Sequence, residues 1–122
     1  MYSVTKSIIT VCKEKLLQTK SNLLNRLKEN YRDYHSRDRG SDEADLAASV
    51  LAEEHFLNVQ ERLRAQLLEI EIALAKIDRG LYGICEETEE PIEAERLLAI
   101  PWTRLSIEGA EIREDLSKRY AK

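Results

Sequence analysis

Residues 52–77, AEEHFLNVQERLRAQLLEIEIALAKI, decide the fold of this chain. Apolar side chains recur here in alternating steps of four and three residues, the spacing of a coiled-coil seam. The seam residues, of which only the glutamine is polar, are Ala52, Phe56, Val59, Leu63, Gln66, Ile70, Ala73 and Ile77. A helix from about Asp42 to Arg79 is on the order of 55 Å long. Because a chain of 122 residues cannot bury such a helix, we expect it to project.

A second helical pattern precedes the first. Residues 5–31 contain neither Gly nor Pro, and an apolar stripe with Lys20 in one gap runs through Ile9, Cys12, Leu16, Leu23 and Leu27. A polar stretch at 31–41 separates the two patterns, as a turn does. The first pattern is mainly basic and the second mainly acidic, which favours antiparallel pairing. The sequence therefore predicts an all-α fold whose residues 1–80 form a long antiparallel coiled-coil hairpin, with its tip at about 32–47.

The rest of the chain, residues 81–122, is predicted to be a small globular unit. Gly80 is suited to the left-handed position that ends a helix. Residues 81–105 are interpreted as compact and irregular, and Ser106 can cap a last helix from about Ile107 to Tyr120. The expected interior side chains are Leu81, Tyr82, Ile84, Ile92, Leu97, Leu98, Ile100, Trp102 and Leu105.

The composition of the chain argues against several classes of partner. The net charge of −4 argues against the phosphate backbone of nucleic acid as the main partner. No apolar run approaches the roughly 20 residues that span a bilayer, so no membrane partner is expected. The first residues lack the apolar core of a secretion signal. Two cysteines in unlike contexts do not predict a disulfide, and together these features favour the cytoplasm.

Cys85, in the segment LYGIC, occupies the position of the first ligand of a four-cysteine zinc knuckle. The other three ligand positions in that frame are Thr88, Ser106 and Gly109, and none of them offers a thiolate. The sequence thus indicates a degenerate zinc-finger-like unit with no metal and no cofactor.

Six carboxylates, opposed in sequence only by Arg96, surround Cys85: Glu86, Glu87, Glu89, Glu90, Glu93 and Glu95. We expect them to raise the pKa of the Cys85 thiol. A weak cation site and a plain solvated loop are both open interpretations of this cluster.

Acidic residues also follow the hairpin turn, at Asp42 and Asp45. Asp42 is a good N-cap, and acids in a first turn are stabilised by the helix dipole. The alternative is functional, because carboxylates at the end of a long helical probe can be carried to a distant divalent cation.

Three segments in this order resemble the bacterial DksA/TraR family: Asp42-x-x-Asp45-x-Ala47, Tyr82-Gly83-Ile84-Cys85, and Ile92 through Arg96-Leu97-x-Ala99-x-Pro101. The resemblance covers most of the chain. It implies that the partner is RNA polymerase and that the hairpin enters the secondary channel of the polymerase. It also implies that Asp42, Asp45 and Ala47 approach the catalytic magnesium and alter open-complex stability, while Arg62 contacts the channel rim. Because the two helices of the hairpin pair with each other, we expect a monomer.

The sequence departs from the family pattern at two places. Only one of four knuckle cysteines remains, which resembles the members that work without structural zinc, and we expect buried apolar side chains, Trp102 among them, to replace the metal. Family members that act with ppGpp, the alarmone of the stringent response, place basic side chains where this chain has Glu69, Ile100 and Ala110. Weak or absent ppGpp synergy is therefore expected.

Two other functions fit parts of the pattern. A transcript-cleavage factor also inserts an acidic hairpin tip, to recruit a second magnesium ion, but such factors usually carry a β-rich second domain. A coiled-coil adaptor would use the same acids only as helix caps. The leading interpretation is a polymerase-binding transcription regulator that is not an enzyme and has no catalytic residues.

Overall fold

The computed structural model describes residues 5–36 and 43–120. Four helices occur in these ranges: α1 (Lys6–Ser36), α2 (Glu43–Arg79), α3 (Ala94–Ala99) and α4 (Ile107–Tyr120). Within the same ranges, β structure is limited to an isolated antiparallel bridge between Ile84 and Pro91. The predicted all-α class is confirmed. None of these four helices is long and apolar enough to cross a membrane.

The ends of the helices follow from local sequence. Thr5 begins α1, since its Oγ1 accepts a hydrogen bond from the Ile8 amide at 3.3 Å. Gly80 ends α2 with φ of 73°. The Gly80 amide donates to the Ile77 carbonyl and the Leu81 amide donates to the Lys76 carbonyl, at 3.2 and 2.9 Å. This pair of bonds is the Schellman motif, which satisfies carbonyls at the end of the helix.

The chain divides into two compact units. The hairpin unit is Thr19–Leu68, and the knuckle unit combines Met1–Gln18 with Glu69–Lys122. Whether the sequence segments 1–80 and 81–122 behave as domains stays a prediction.

In the hairpin unit, α1 and α2 run antiparallel. Asn30 Nδ2 donates to the Phe56 carbonyl, and Gln60 Nε2 donates to the Leu27 carbonyl, each at 3.3 Å. A residue later on α1 therefore pairs with a residue earlier on α2. The side chain buried beside these bonds is Gln60, whereas the predicted seam residue Gln66 is exposed. The prediction for Gln66 is wrong because Gln60, unlike Gln66, reaches a carbonyl on the facing helix.

The helix α1 extends five residues beyond the predicted end at Tyr31. Contacts between aromatic side chains account for the extra turn of α1. Tyr34 stacks on Phe56 of α2 with ring centroids 4.4 Å apart, and His35 lies 4.1 Å from Tyr31. Because these contacts require helical spacing on α1, the polar residues after Tyr31 remain in the helix.

The knuckle unit has its own small core. Buried side chains come from all its segments, namely Cys12, Leu16, Ile70, Ala73, Tyr82, Cys85, Ile92 and Leu97. Cys12 Sγ donates to the Leu97 carbonyl at 3.5 Å, and Tyr82 Oη donates to the Pro101 carbonyl at 2.8 Å. The predicted helix α4 is confirmed. The helix α3 was not predicted, since the sequence interpretation left residues 81–105 irregular.

Candidate functional site

The Cys85 sulfur is the centre of the knuckle. Its side chain is fully buried, and its Sγ accepts a hydrogen bond from the Thr88 amide at 3.5 Å. The Ser106 Oγ accepts a hydrogen bond from the Gly109 amide at 3.0 Å, which caps the first turn of α4. Ser106 and Thr88 both also bond the sulfur through their side chains. All four of the predicted degenerate positions thus belong to one hydrogen-bonded group.

Gly109 completes the group by leaving space. A Cβ placed on Gly109 would overlap the Cys85 Sγ, and it would also lie 3.4 Å from Ser106 Oγ. The helix α4 therefore approaches the knuckle loop closely enough that only hydrogen fits at position 109. The structure brings the four positions 85, 88, 106 and 109 together around one sulfur atom.

The loop between these positions is held by backbone bonds. The Cys85 amide donates to the Glu90 carbonyl at 2.8 Å, and the Glu89 amide donates back to the Cys85 carbonyl at 2.9 Å. Glu89 has a positive φ of 59°, which turns the chain within this short hydrogen-bonded loop. The Glu86 amide donates to the Arg104 carbonyl at 2.9 Å and so joins the loop to the segment before α4.

Hydrogen bonding activates the Cys85 thiol. Burial raises its pKa, but the hydrogen bonds from the side chains and backbone of Ser106 and Thr88 outweigh burial and lower the pKa from its ordinary 9.0 to about 6. The expectation of a raised pKa is therefore wrong. The expectation failed because the two nearest carboxylates, Glu86 and Glu87, are paired with cations. Hydrogen-bond donors surround the sulfur instead. At neutral pH Cys85 is largely a thiolate.

Those cations form an ion-pair network that the sequence interpretation missed. Glu86 is 2.6 Å from Lys76 Nζ, 3.9 Å from Arg104 and 3.7 Å from Arg113. Arg113 also bonds Glu87 at 3.0 Å. Burial raises the pKa of Glu86, but the bond and charge of Lys76, together with the charges of Arg104 and Arg113, lower it overall.

Arg96, the one cation expected to oppose the acidic cluster, has another partner. Its Nε donates to the Leu105 carbonyl at 2.8 Å. The actual partners of the carboxylates come from α2, from the segment before α4, and from α4 itself. Basic residues scattered over three segments gave no local signal in the sequence, which is why their convergence was not predicted.

The donor set of the knuckle does not fit zinc. Tetrahedral structural zinc needs four thiolate or imidazole ligands, and the four positions offer one thiolate, two hydroxyls and a hydrogen atom. The Ser106 hydroxyl is engaged by Gly109 and Cys85. Within residues 5–36 and 43–120, no group of three His, Cys, Asp or Glu side chains is placed to hold a metal ion.

Trp102 is not among the buried side chains of the knuckle unit. This side chain is 38% exposed, and Leu81 is 53% exposed, so the prediction that both are interior is wrong. Tyr82, Ile92 and Leu97 are buried as predicted. Pro101, the residue before Trp102, is buried, and its carbonyl accepts a hydrogen bond from the Tyr82 hydroxyl.

The predicted tip residues lie in or before the start of α2. Asp42 lies outside the described residues, immediately before the first residue of the helix. Asp45 and Ala47 are exposed in its first turns, and Arg62 is exposed further along the same helix. Asp45 and Ala47 are thus accessible to solvent, at a site separate in sequence from the knuckle.

This chain is similar in sequence and in fold to known proteins. The family model described as the prokaryotic dksA/traR C4-type zinc finger matches residues 80–115, the range that contains all four knuckle positions. An uncharacterized protein of Aquifex aeolicus is 37% identical over 121 residues, covering 96% of this chain and 83% of that protein.

Two named relatives cover most of the chain. The RNA polymerase-binding transcription factor DksA of Caulobacter vibrioides is 35% identical over 103 residues, covering 84% of this chain and 72% of that protein. The solved structure of transcription factor DksA2 from Pseudomonas aeruginosa superposes with a TM-score of 0.82 at 34% identity, covering 94% of this chain and 88% of that chain. The fold is therefore shared with the solved DksA2 structure.

Proposed function

The chain belongs to the DksA/TraR family, and on that premise we propose that it is a transcription regulator that binds RNA polymerase. The observation that carries the proposal is the match along 84% of the chain to a factor named for binding RNA polymerase. We place no catalytic step in this protein. Its effect is to change the behaviour of the polymerase to which it binds.

The proposed route of binding is the secondary channel, with the hairpin tip near the catalytic magnesium ion. Exposed Asp45 and Ala47 support this proposal, since side chains that act on a partner must be accessible. Negative charge from Asp42 and Asp45 near a divalent cation alters the local field and the ligands available to it. Arg62, exposed on α2, is the proposed contact with the channel rim.

The knuckle is proposed to hold its shape without structural zinc. Structural zinc contributes folding free energy by linking separate segments. Here the hydrogen bonds to the Cys85 sulfur and the ion pairs of Glu86 link the same kinds of segment, the loop, the start of α4 and the end of α2. This arrangement supports a protein that folds fully in the presence of a chelator.

Weak or absent synergy with ppGpp is proposed from the three positions that lack cations, Glu69, Ile100 and Ala110. The structure adds one supporting fact. Arg104, the cation beside Glu69, already bonds that carboxylate with two nitrogens. An anionic nucleotide at this place would meet one carboxylate and a guanidinium that has a partner. Transcription assays with and without ppGpp test this point, and undiminished synergy would contradict it.

A test of the tip separates the proposal from its alternatives. Asp42→Asn with Asp45→Asn keeps a residue that caps helices well and removes both negative charges. A polymerase regulator that acts through its tip loses its effect on open-complex lifetime while it still binds polymerase. A coiled-coil adaptor keeps its full effect. Cleavage of the transcript in a backtracked complex by the unmodified protein would instead identify a cleavage factor.

A further inference from the structure

A groove in the hairpin unit carries positive charge that the proposed function does not use. Its volume is about 630 Å³, within the usual range of binding pockets, and it opens along the α1 and α2 surface. Lys28 and Arg32 line it from α1, one helical turn apart, and Arg64 lines it from α2. We call this surface, together with Tyr31 and Gln60, the basic groove.

The described residues that line the basic groove include three cations. None of the described residues that line it carries a carboxylate. The ion pairs found within residues 5–36 and 43–120 involve neither Lys28, Arg32 nor Arg64. Lys28 and Arg32, four residues apart on α1, repel each other. Their repulsion is relieved when a negatively charged partner enters.

The base of the basic groove is fixed and its wall is apolar. Gln60 is buried and donates across the hairpin to the Leu27 carbonyl, so this part of the base is held by both helices. Tyr31 is 58% exposed and is supported by the His35 ring at 4.1 Å between centroids. An exposed, supported aromatic ring next to cations is typical of protein-binding hot spots.

We propose that the basic groove binds a short acidic segment of a partner protein, with carboxylates on Lys28, Arg32 and Arg64 and an apolar side chain against Tyr31. A protein segment is favoured over nucleic acid by charge. Exposed Glu29 and Asp33 stand next to the lining residues on α1, and the chain is negative overall. A continuous phosphate backbone would come close to these carboxylates and be repelled by them. A short acidic segment has only a few negative charges, which can lie on the three cations and away from Glu29 and Asp33.

This inference does not rest on the proposed function, and its test uses a synthetic probe. The full chain, labelled with ¹⁵N, is titrated with an acetylated and amidated peptide of sequence ELEELE. We expect saturable shifts in the amide signals of Lys28, Tyr31, Gln60 and Arg64. The double variant Arg32→Glu with Arg64→Glu should bind the peptide at least tenfold more weakly. The control Arg26→Glu, which changes an exposed cation outside the groove, should bind it as tightly as the unmodified chain.

Two further probes make the result decisive. The peptide QLQQLQ, which has the same apolar residues without charge, should bind at least tenfold more weakly than ELEELE. A single-stranded oligothymidylate with four phosphates should also bind more weakly. Equal binding of the two peptides, or tighter binding of the oligonucleotide than of ELEELE, would overturn the inference. So would unchanged ELEELE binding by the double variant Arg32→Glu with Arg64→Glu, provided that the amide spectrum of the variant shows that it is folded.

Discussion

Arg104 donates two parallel hydrogen bonds to the Glu69 carboxylate, from Nε to Oε1 at 2.9 Å and from Nη2 to Oε2 at 2.6 Å. The planar guanidinium matches both carboxylate oxygens, so the pair fixes the orientation of the segment before α4 against α2. Arg104 also lies 3.9 Å from Glu86 and offers its own carbonyl to the Glu86 amide. One side chain and its backbone thereby connect the knuckle loop to the long helix.

Arg104→Lys should destabilise the protein by about 0.5–1 kcal/mol, because lysine keeps the charge but loses the paired geometry. The effect is modest since both side chains remain about one-third exposed to solvent. Urea unfolding measures it. Arg119→Lys, at an exposed position of α4, is the matched control and should change the free energy of unfolding by less than about 0.5 kcal/mol. Equal effects at the two positions would show that the pair does not stabilise the protein.

Gly109→Ala should destabilise the protein by about 1–3 kcal/mol, because the new Cβ overlaps the Cys85 sulfur. The same change in a helix without a clash would be stabilising. Removing the sulfur with Cys85→Ala should therefore rescue the alanine at 109. A double-mutant cycle in urea unfolding measures the coupling. Additive effects of the two substitutions would contradict the close approach of α4 to the knuckle.

Stability should rise with pH between about 6 and 9, and Cys85 should be one cause. The pKa of this thiol is about 6 in the folded protein, below its ordinary 9.0. In this window the unfolded chain binds a proton at Cys85 that the folded protein does not. The free energy of unfolding therefore increases with pH by up to about 1.4 kcal/mol per unit, and the contribution is lost as the pH falls through 6.

Cys85→Ser should flatten that pH dependence, which unfolding curves at several pH values measure. A second readout does not depend on the variant's stability. Thiolate absorbance near 240 nm in the unmodified protein should rise with a midpoint near pH 6, the pKa of Cys85. A midpoint at the ordinary value of 9.0, or equal slopes in the two proteins, would show that hydrogen bonding does not activate this sulfur.

Phe56→Ala should destabilise the hairpin unit by about 2 kcal/mol, since the ring stacks on Tyr34 and meets Tyr31 edge-on at 6.3 Å. Leu57→Ala, at the exposed neighbour, should cost less than about 0.5 kcal/mol. Amide hydrogen exchange in residues 27–36 reports the difference. Similar exchange rates in both variants would mean that the rings do not hold the end of α1.

The sequence was most informative where the physics is local. Helix periodicity and capping placed α2 and α4, and Gly80 was correctly assigned to the left-handed position. The end of α1 was wrong because rings on the facing helix extend it beyond Tyr31. The helix α3 is only six residues long, and Glu93 before it makes no side-chain cap, so the usual start signal was missing.

The knuckle shows the opposite case, since its properties depend on long-range contacts. Frame and spacing indicated that positions 85, 88, 106 and 109 belong together, but not that hydroxyl and amide groups would lower the pKa of Cys85. The partners of Glu86 are 10, 18 and 27 residues away in sequence. No local pattern predicts which cations converge at such separations. The same holds for the partial exposure of Trp102, which no local pattern predicts.

Competition for core RNA polymerase tests the central claim most directly. The purified chain is added to a polymerase complex that carries a labelled factor known to occupy the secondary channel, and displacement is followed by fluorescence anisotropy. We expect saturable displacement by the unmodified chain, and at least tenfold weaker displacement by Arg62→Glu. Binding to polymerase without displacement, or no binding at all, would contradict the proposed site of action.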